Sequence, residues 1–256
     1  MQLVFEYEIN NRYIWQETTK MDSLKKIPCL TILFGNPLRP YEVPAFRGAV
    51  ISKIPKELTL FHNHLGESFR FSYPLIQYKA ISGKAAVVCI GEGTREIGNF
   101  FARADFQLRI GEREEAFTVE NVWASQWMLQ TWNDSMLYSL RRWLPLNKSN
   151  YELFHKTEGI VERTKLLESI LTGNLLSMSK GLGHYFEKPV SCIITNLEHA
   201  QVYTHKNVKM QGFNLLFRSN VYLPDFIGLG KGASMGFGTV KCIKTKTKED
   251  SYDGNE

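Results

Sequence analysis

The apolar residues of this chain change their spacing in the same order twice, and this order restricts the fold more than any other feature. The first half has the order strand, helix, strand, strand, helix, strand, over residues 28–34, 43–54, 73–81, 84–90, 97–101 and 106–110. The third and fourth segments meet at Ser82-Gly83, a two-residue connection with glycine that is typical of a β-hairpin. The order favours a domain in which helices cover one face of a sheet.

The second half repeats this order with one replacement. Strand-like segments lie at 136–144, 190–195 and 208–218, with a closing strand through Cys242. A long stripe with helical spacing runs over 166–178, whereas a glycine-rich segment over 228–238 stands where the second helix would come. The sequence therefore predicts an α+β fold of two tandem ferredoxin-like (RRM-like) domains with a C-terminal glycine-rich loop.

The predicted division of the chain follows from these elements. We expect an N-terminal extension over 1–26, a first domain over 27–120, a second domain over 121–245 and a polar tail over 246–256. Four tryptophans lie around the junction: Trp123, Trp127, Trp132 and Trp143. They are expected to pack between the domains, with base-stacking platforms as the alternative.

Composition and charge narrow the class of protein. A net charge of +5 and a pI near 8.9 are compatible with a polyanionic partner. The N-terminus lacks the order of a signal peptide, and no apolar run is long enough to span a bilayer, so we expect a cytoplasmic protein. The four cysteines have no paired spacing and are expected to be buried free thiols, and neither a metal site nor a cofactor is predicted.

The glycine-rich loop is unusual for a segment that precedes a strand. Its glycines are Gly228, Gly230, Gly232, Gly236 and Gly238. Glycine allows a backbone to approach a ligand closely, and consecutive N–H groups can bind phosphate, to which Lys231 adds a positive charge. The spacing matches neither a P-loop nor a dinucleotide fingerprint. We predict phosphate contacts from these residues, with a flexible surface turn as the alternative.

Four segments together carry a resemblance to a known family. They are Gly228-Leu229-Gly230 with Gly236-Phe237-Gly238, Phe46-Arg47-Gly48-Ala49, Leu60-Phe61-His62-Asn63-His64, and Tyr73-Pro74-Leu75-Ile76-Gln77-Tyr78-Lys79. The chain resembles the RAMP superfamily and, within it, the subtype b branch of the CRISPR repeat-processing endoribonucleases, the Cas-six family. The resemblance covers most of 28–244 and leaves the N-terminal extension outside.

The two histidines of the segment Leu60-Phe61-His62-Asn63-His64 suit proton transfer to and from RNA. Histidine titrates near neutral pH, so one copy can accept a proton while another donates one. RNA carries its own nucleophile, the 2′-OH, and its cleavage needs only a base, an acid and alignment. A zinc site, an HNH nuclease motif and a pair of surface histidines without a role are the alternatives.

The resemblance implies a set of site residues. It places catalytic histidines at His62 and His64, with Tyr73 and either Lys53 or Lys56 assisting. We favour His64 as the principal acid or base, His62 as a partial substitute, and the lysine as the group that stabilises developing phosphate charge. Further phosphate contacts are predicted at Arg47, Arg70, Lys79 and Arg218, although each could simply be a solvated charge.

The resemblance implies an enzyme that binds CRISPR repeat RNA and cleaves precursor transcripts by metal-independent attack of the 2′-OH. Such cleavage leaves a 2′,3′-cyclic phosphate and a 5′-OH. Other subunits of a CRISPR surveillance complex are implied as partners. A homodimer is a further possibility that the sequence does not decide. The alternatives are a non-catalytic RNA-binding RAMP subunit of such a complex and an RNA-binding module unrelated to CRISPR.

Overall fold

The computed structural model of the protein describes residues 26–55, 57–62, 64–65, 68–69, 73–103 and 105–243. Residues 62, 64, 65, 68, 69 and 103 are described by their backbone alone. The predicted N-terminal extension up to residue 25, the predicted tail over 246–256, and Lys56 and Arg70 lie outside the described residues.

The first domain follows the predicted order, with additional short elements. Its strands and helices are β1 Lys26–Pro37, α1 Val43–Ser52, α2 Thr59–His62, β2 His64–Leu65, β3 Ser68–Phe69, β4 Ile76–Ile81, β5 Lys84–Ile90, α3 Gly93–Arg103, β6 Gln107–Ile110, β7 Arg113–Ala116 and β8 Val119–Met128. Pro44 stands in the first turn of α1, where its missing N–H costs no hydrogen bond. The hairpin between β4 and β5 turns at Ser82 and Gly83, both with positive φ, as the sequence predicted.

The fourth strand of the first sheet is not the predicted one. The sheet has the order β4-β5-β1-β8, whereas β6 pairs with β7 in a separate two-stranded ribbon. Leu108 and Ile110 of β6 are buried against the first-domain core, which explains the alternation over 106–110. Alternation shows that a strand has one apolar face, but not which strand it pairs with.

Strand β8 extends the first sheet beyond the predicted end of the first domain. It pairs with β1 in antiparallel register from Lys26↔Met128 to Phe34↔Val119. The boundary predicted between residues 120 and 121 therefore falls inside a strand of the first sheet, and the sheet ends only after Met128. Residues 119–126 of β8 are exposed, so the strand carries no continuous apolar pattern that the sequence could reveal.

The second domain has the same sheet order as the first. Its elements are β9 Thr131–Trp143, α4 Lys148–Lys156, α5 Ile160–Gly181, β10 Cys192–Leu197, β11 Gln201–His205, β12 Val208–Val221 and β13 Thr239–Cys242. The sheet order is β10-β12-β9-β13, with β11 paired to β12. In both sheets the second, third, first and fourth strands of the ferredoxin-like pattern lie side by side, which confirms the predicted fold class.

One large core joins the two halves. Ile27, Val88 and Trp127 of the first domain belong to the same buried cluster as Leu140 and Phe217 of the second. A second cluster lies between the first sheet and its helices.

Two of the four junction tryptophans belong to this shared core. Trp127 and Trp143 are buried, whereas Trp123 and Trp132 are 45% and 37% exposed. The predicted packing role therefore holds for the buried pair.

Within the described residues, none of the helices combines the length and apolar character needed to cross a bilayer. None of the four cysteines forms a disulfide: Cys29, Cys89 and Cys192 are buried thiols, and Cys242 is partly buried.

Candidate functional site

The histidine segment lies directly after a buried aromatic residue. His62 ends α2, and His64 begins β2, whose backbone pairs with β3 through His64↔Phe69. Phe61 is 1% exposed and belongs to the first-domain core, so it anchors the backbone at the point where the histidines begin. The side chains of His62 and His64 are outside the description.

Arg47 contacts this same anchor from α1. Its Nη2 donates to the carbonyl oxygen of Phe61 at 3.5 Å, and its charge opposes the rise of the Tyr78 pKa that burial causes. Arg47 is partly buried, so its guanidinium supports the backbone before His62. This contact gives Arg47 a structural role beside the predicted RNA contact.

Lys53 forms an ion pair across the first domain. Its Nζ lies 2.9 Å from Oδ1 of Asp105, and hydrogen bonding to Lys53 lowers the pKa of that carboxyl group. Both side chains are substantially exposed, at 31% and 62%, so the pair contributes little to stability. The ammonium group is available for exchange to another anion at low energetic cost.

Tyr73 connects the histidine segment to the glycine-rich loop. Its hydroxyl donates to the carbonyl oxygen of Gly228 at 2.9 Å, and burial raises its pKa. The phenol therefore keeps its proton near neutral pH and acts as a donor. Gly181 lies so close to the Tyr73 backbone that a Cβ there would clash with it, which packs the end of α5 against this residue.

The glycine-rich loop is docked along the free edge of β4. Tyr78 N–H donates to the carbonyl oxygen of Ser234 at 3.1 Å, and Tyr78 forms a parallel bridge with Met235. The Gly228 N–H donates to Oε1 of Gln77 at 2.8 Å. The loop thus covers an edge strand whose backbone groups would otherwise lack partners.

The burial of Lys79 is inconsistent with its predicted role as a phosphate contact. It is 1% exposed, and its Nζ donates to the carbonyl oxygen of Ala233 at 2.9 Å. Burial lowers its pKa to about 7. Lys79 therefore links β4 to the loop through this hydrogen bond, because the loop closes over the edge strand on which Lys79 lies.

The five glycines of the loop divide into structural and exposed positions. Gly228, Gly236 and Gly238 are buried, and the Gly238 N–H donates to the carbonyl oxygen of Arg142. Gly230 and Gly232 are partly exposed on either side of the exposed Lys231, with φ of 76° and 75°. The predicted phosphate contact is thereby confined to the tip 230–232, since burial removes the other three glycines from a ligand's reach.

Two further side chains, Arg142 and His205, lie beside the glycine-rich loop, and no sequence motif indicates either of them. The pKa of His205 is lowered by burial and then by the charges of Lys231 and Lys206. The guanidinium of Arg142 lies 4.6 Å from the ring centroid of Phe237, on which His205 also packs at 5.3 Å. No motif relates Arg142 or His205 to the loop, because their proximity comes from sheet pairing.

The remaining predicted contact, Arg218, is exposed on the central strand β12. It lies in register with Leu137 of β9 and Ile193 of β10. Among the described residues, no contact joins Arg218 to the loop tip, and it is a separate basic position on the second sheet.

Two family models match the chain. Residues 25–126 match the Cas6b N-terminal domain, and residues 130–243 match the Cas6b C-terminal domain. The interval between the matches coincides with the end of β8, where the first sheet also ends.

Solved structures of Cas6b agree with these matches, and a curated relative is also similar to part of the chain. A crystal structure of Cas6b has a TM-score of 0.79 and 29% identity, covering 86% of this chain and 100% of that one. A crystal structure of the CRISPR RNA processing endoribonuclease Cas6b has a TM-score of 0.66 and 26% identity, with the same coverage. An uncharacterized protein of Methanocaldococcus jannaschii is 38% identical over 98 residues, which are 38% of this chain and 65% of that relative, just under two thirds of its length.

Proposed function

Because the chain belongs to the Cas6b family, we propose that it is an endoribonuclease that binds CRISPR repeat RNA and cuts precursor transcripts within each repeat. The similarity to a CRISPR RNA processing endoribonuclease supports this activity. One structural observation carries the proposal: the Tyr73–Gly228 hydrogen bond joins the segment before β4, nine residues after His64, to the base of the glycine-rich loop. The proposal is that RNA bound at this loop extends to the histidine segment.

The proposed reaction uses the nucleophile of the substrate. A base removes the proton of the ribose 2′-OH, the oxygen attacks the adjacent phosphorus, and the P–O5′ bond breaks as an acid protonates the leaving oxygen. The products are a 2′,3′-cyclic phosphate and a 5′-OH. A histidine pair can supply both proton transfers, so the reaction as proposed is metal-independent.

The proposed roles of the side chains follow from their chemistry. His64 is the principal acid or base, and His62 substitutes for it in part. Lys53 or Lys56 stabilises the charge that develops on the phosphate, and release from Asp105 would make Lys53 available. Tyr73 is a proton donor whose hydroxyl, in the resting protein, is held by Gly228.

RNA binding is proposed to centre on the loop tip. Gly230 and Gly232 offer backbone to phosphate, and Lys231 adds its charge. Arg142, whose guanidinium lies against Phe237 of the loop, adds a positive charge, with Arg47, Arg70 and Arg218 as outlying phosphate contacts. Other CRISPR surveillance-complex subunits and a second copy of the chain remain proposed partners.

The proposal is tested by incubating purified protein with repeat RNA in EDTA and mapping both ends of each product. We expect one cut per repeat, with a cyclic phosphate on the upstream fragment. A repeat carrying a 2′-deoxy nucleotide at the cut should bind and stay intact. Cleavage of the deoxy RNA, or cleavage only with added divalent ions, would contradict the mechanism.

Replacing both histidines tests their role directly. The double variant His62→Ala/His64→Ala should cut at least about 1,000-fold more slowly, since both proton transfers are lost, while repeat RNA affinity changes less than about threefold. Single-turnover cleavage and filter binding measure the two quantities. The exposed His199, between β10 and β11, provides the control His199→Ala, which should cut normally.

A non-catalytic RNA-binding subunit is the second candidate function. It is favoured by the engagement of two proposed catalytic groups in the fold, Tyr73 with Gly228 and Lys53 with Asp105. It predicts tight, repeat-selective binding with intact RNA under every condition. An RNA-binding module unrelated to CRISPR would instead bind unrelated hairpins equally well.

A further inference from the structure

A cavity of about 300 Å³ opens beside the loop tip. It lies between α5, the start of α4 and the segment before β4, and its lining includes Tyr73, Pro74, Asn147, Asn174, Ser177 and Lys231. Its volume is at the lower end of the range for ligand pockets, roughly 300–1,000 Å³. The cavity therefore suits a small planar group rather than a peptide or a helix.

The amide of Asn174 is held in one orientation at this cavity. The indole N–H of Trp143 donates to Oδ1 of Asn174 at 2.9 Å. Because an indole nitrogen can only donate, the oxygen of Asn174 must face Trp143, and the amide cannot be flipped. Trp143 is fully buried, so the orientation is fixed from the core, and the two N–H donors of Nδ2 remain for a ligand.

Gly230 brings the loop backbone directly against this pair. A Cβ at Gly230 would lie 2.8 Å from Nε1 of Trp143 and 2.9 Å from Oδ1 of Asn174. Only glycine permits this approach, and its φ of 76° also disfavours any other residue. The loop therefore forms one wall of the cavity, and Lys231 stands at the opening.

The cavity presents the chemistry of an unstacked nucleotide. Pro74 offers apolar surface to a face of a base, and the lining also includes the buried side chains of Leu144 and Met178. Asn174 offers donors to an acceptor on the base edge, Ser177 offers a hydroxyl, and Lys231 offers a charge to the flanking phosphate. RNA is read in this manner where single nucleotides are splayed out of the helix.

We propose that this cavity is a one-nucleotide subsite that takes an unstacked base of the RNA, with Asn174 donating to its edge and Lys231 contacting its phosphate. The inference rests on the proposed function, since it assigns a further contact to the same RNA. Tyr73, a proposed catalytic residue, also lines the cavity, so the proposed subsite adjoins a proposed catalytic group.

The test variant is Asn174→Asp, which keeps an acceptor for Trp143 but replaces both donors with a carboxylate. The probe is repeat RNA with a 2′-deoxy nucleotide at the cut, prepared as a series with one abasic nucleotide at each position. We expect the variant to bind the intact RNA at least about tenfold more weakly. At one position, the abasic change should weaken wild-type binding and have no further effect in the variant.

Asn121→Asp is the matched control for the added charge. Asn121 lies on β8, at the opposite edge of the first sheet from β4, and its side chain accepts only from the neighbouring Val122 N–H. This variant should bind every RNA of the series like wild type. Ser177→Ala, at an exposed position on α5, should weaken binding at the same abasic-sensitive position by a smaller factor.

Two results would overturn the subsite. One is unchanged affinity of Asn174→Asp, with thermal unfolding like wild type. The other is an additive effect of the variant and the abasic change at every position. Failure of the wild-type protein to bind any repeat RNA would instead overturn the proposed function itself. The two failures are thus distinguishable.

Discussion

At the scale of single residues, Lys79 shows how a charged side chain can be used inside this fold. Its amine is buried and donates to a single carbonyl oxygen, that of Ala233. An ammonium group in such surroundings loses its hydration, so the pKa falls to about 7. The neutral amine satisfies the loop carbonyl without requiring a counter-ion, and Tyr73 and Gln77 hold Gly228 in a comparable way.

The burial of Lys79 makes stability depend on pH in a defined direction. The folded state releases the Lys79 proton near pH 7, whereas an unfolded lysine holds it to about pH 10.5. Between these values the unfolded state binds more protons, so the unfolding free energy rises with pH. From pH 7 to 8.5 we expect wild type to gain about 1–2 kcal/mol relative to Lys79→Met, measured by urea denaturation at both pH values.

Lys188→Met is the control for this experiment, because Lys188 is an exposed lysine in the connection before β10. Its pH profile should parallel that of wild type. If Lys79→Met also parallels wild type, the amine is not desolvated in the folded protein.

At the scale of elements, the glycine-rich loop covers the edge of β4. It pairs with β4 through Tyr78, and it closes on itself where the Leu229 N–H donates to the carbonyl oxygen of Gly238 at 2.8 Å. A Cβ at Gly238 would overlap the Leu229 carbonyl oxygen, and Gly238 has a φ of 60°. The glycines at the base hold the loop closed, while those at the tip leave backbone accessible.

Gly238→Ala should therefore destabilise the protein by about 2–4 kcal/mol, through steric overlap and positive-φ strain. Urea denaturation measures the change, and the affinity for repeat RNA should fall as the tip shifts. Gly98→Ala is the matched control. Gly98 is exposed within α3 with open space around its Cβ, and the substitution should stabilise the helix by about 0.5–1 kcal/mol. Equal effects at the two glycines would contradict the closed loop base.

At the scale of the whole molecule, the two domains are joined by the core they share. Trp127 and Trp143 lie in the same buried cluster, although they belong to different sheets. The indole N–H of Trp127 donates to the carbonyl oxygen of Tyr222, which adds a polar contact between the halves. If one half unfolded, the apolar residues of the other half in the shared core would be exposed to water. The two halves should therefore unfold together.

We expect a single unfolding transition, with coincident midpoints by tryptophan fluorescence and far-ultraviolet circular dichroism. Leu175→Ala, at a fully buried position of α5, should lower the free energy of unfolding by about 2–5 kcal/mol. Both midpoints should fall together. The neighbouring Leu176 is 48% exposed, and Leu176→Ala should change stability by less than about 0.5 kcal/mol. Separate transitions in Leu175→Ala would show that the domains are independent.

Some residues of the candidate site could be predicted from sequence motifs, whereas others could be found only in the structure. The Cas-six resemblance directs attention to His62, His64 and the glycine-rich loop, because these stand in short motifs. Arg142, Asn174 and His205 belong to no motif, and each lies against the glycine-rich loop from a different element. Lys79 appeared in a motif with the wrong role, since charge is visible in a sequence and burial under a distant loop is not.

The sequence by itself determined the type and order of the main strands and helices, and the doubling of that order. Apolar periodicity is a local property, set by 2.0 or 3.6 residues per repeat. Only the tertiary structure decided that β8 rather than β6 completes the first sheet, and that the loop closes over β4 and buries Lys79. These outcomes depend on contacts between residues far apart in the chain. Such contacts form only when the chain folds, so they leave no local pattern in the sequence.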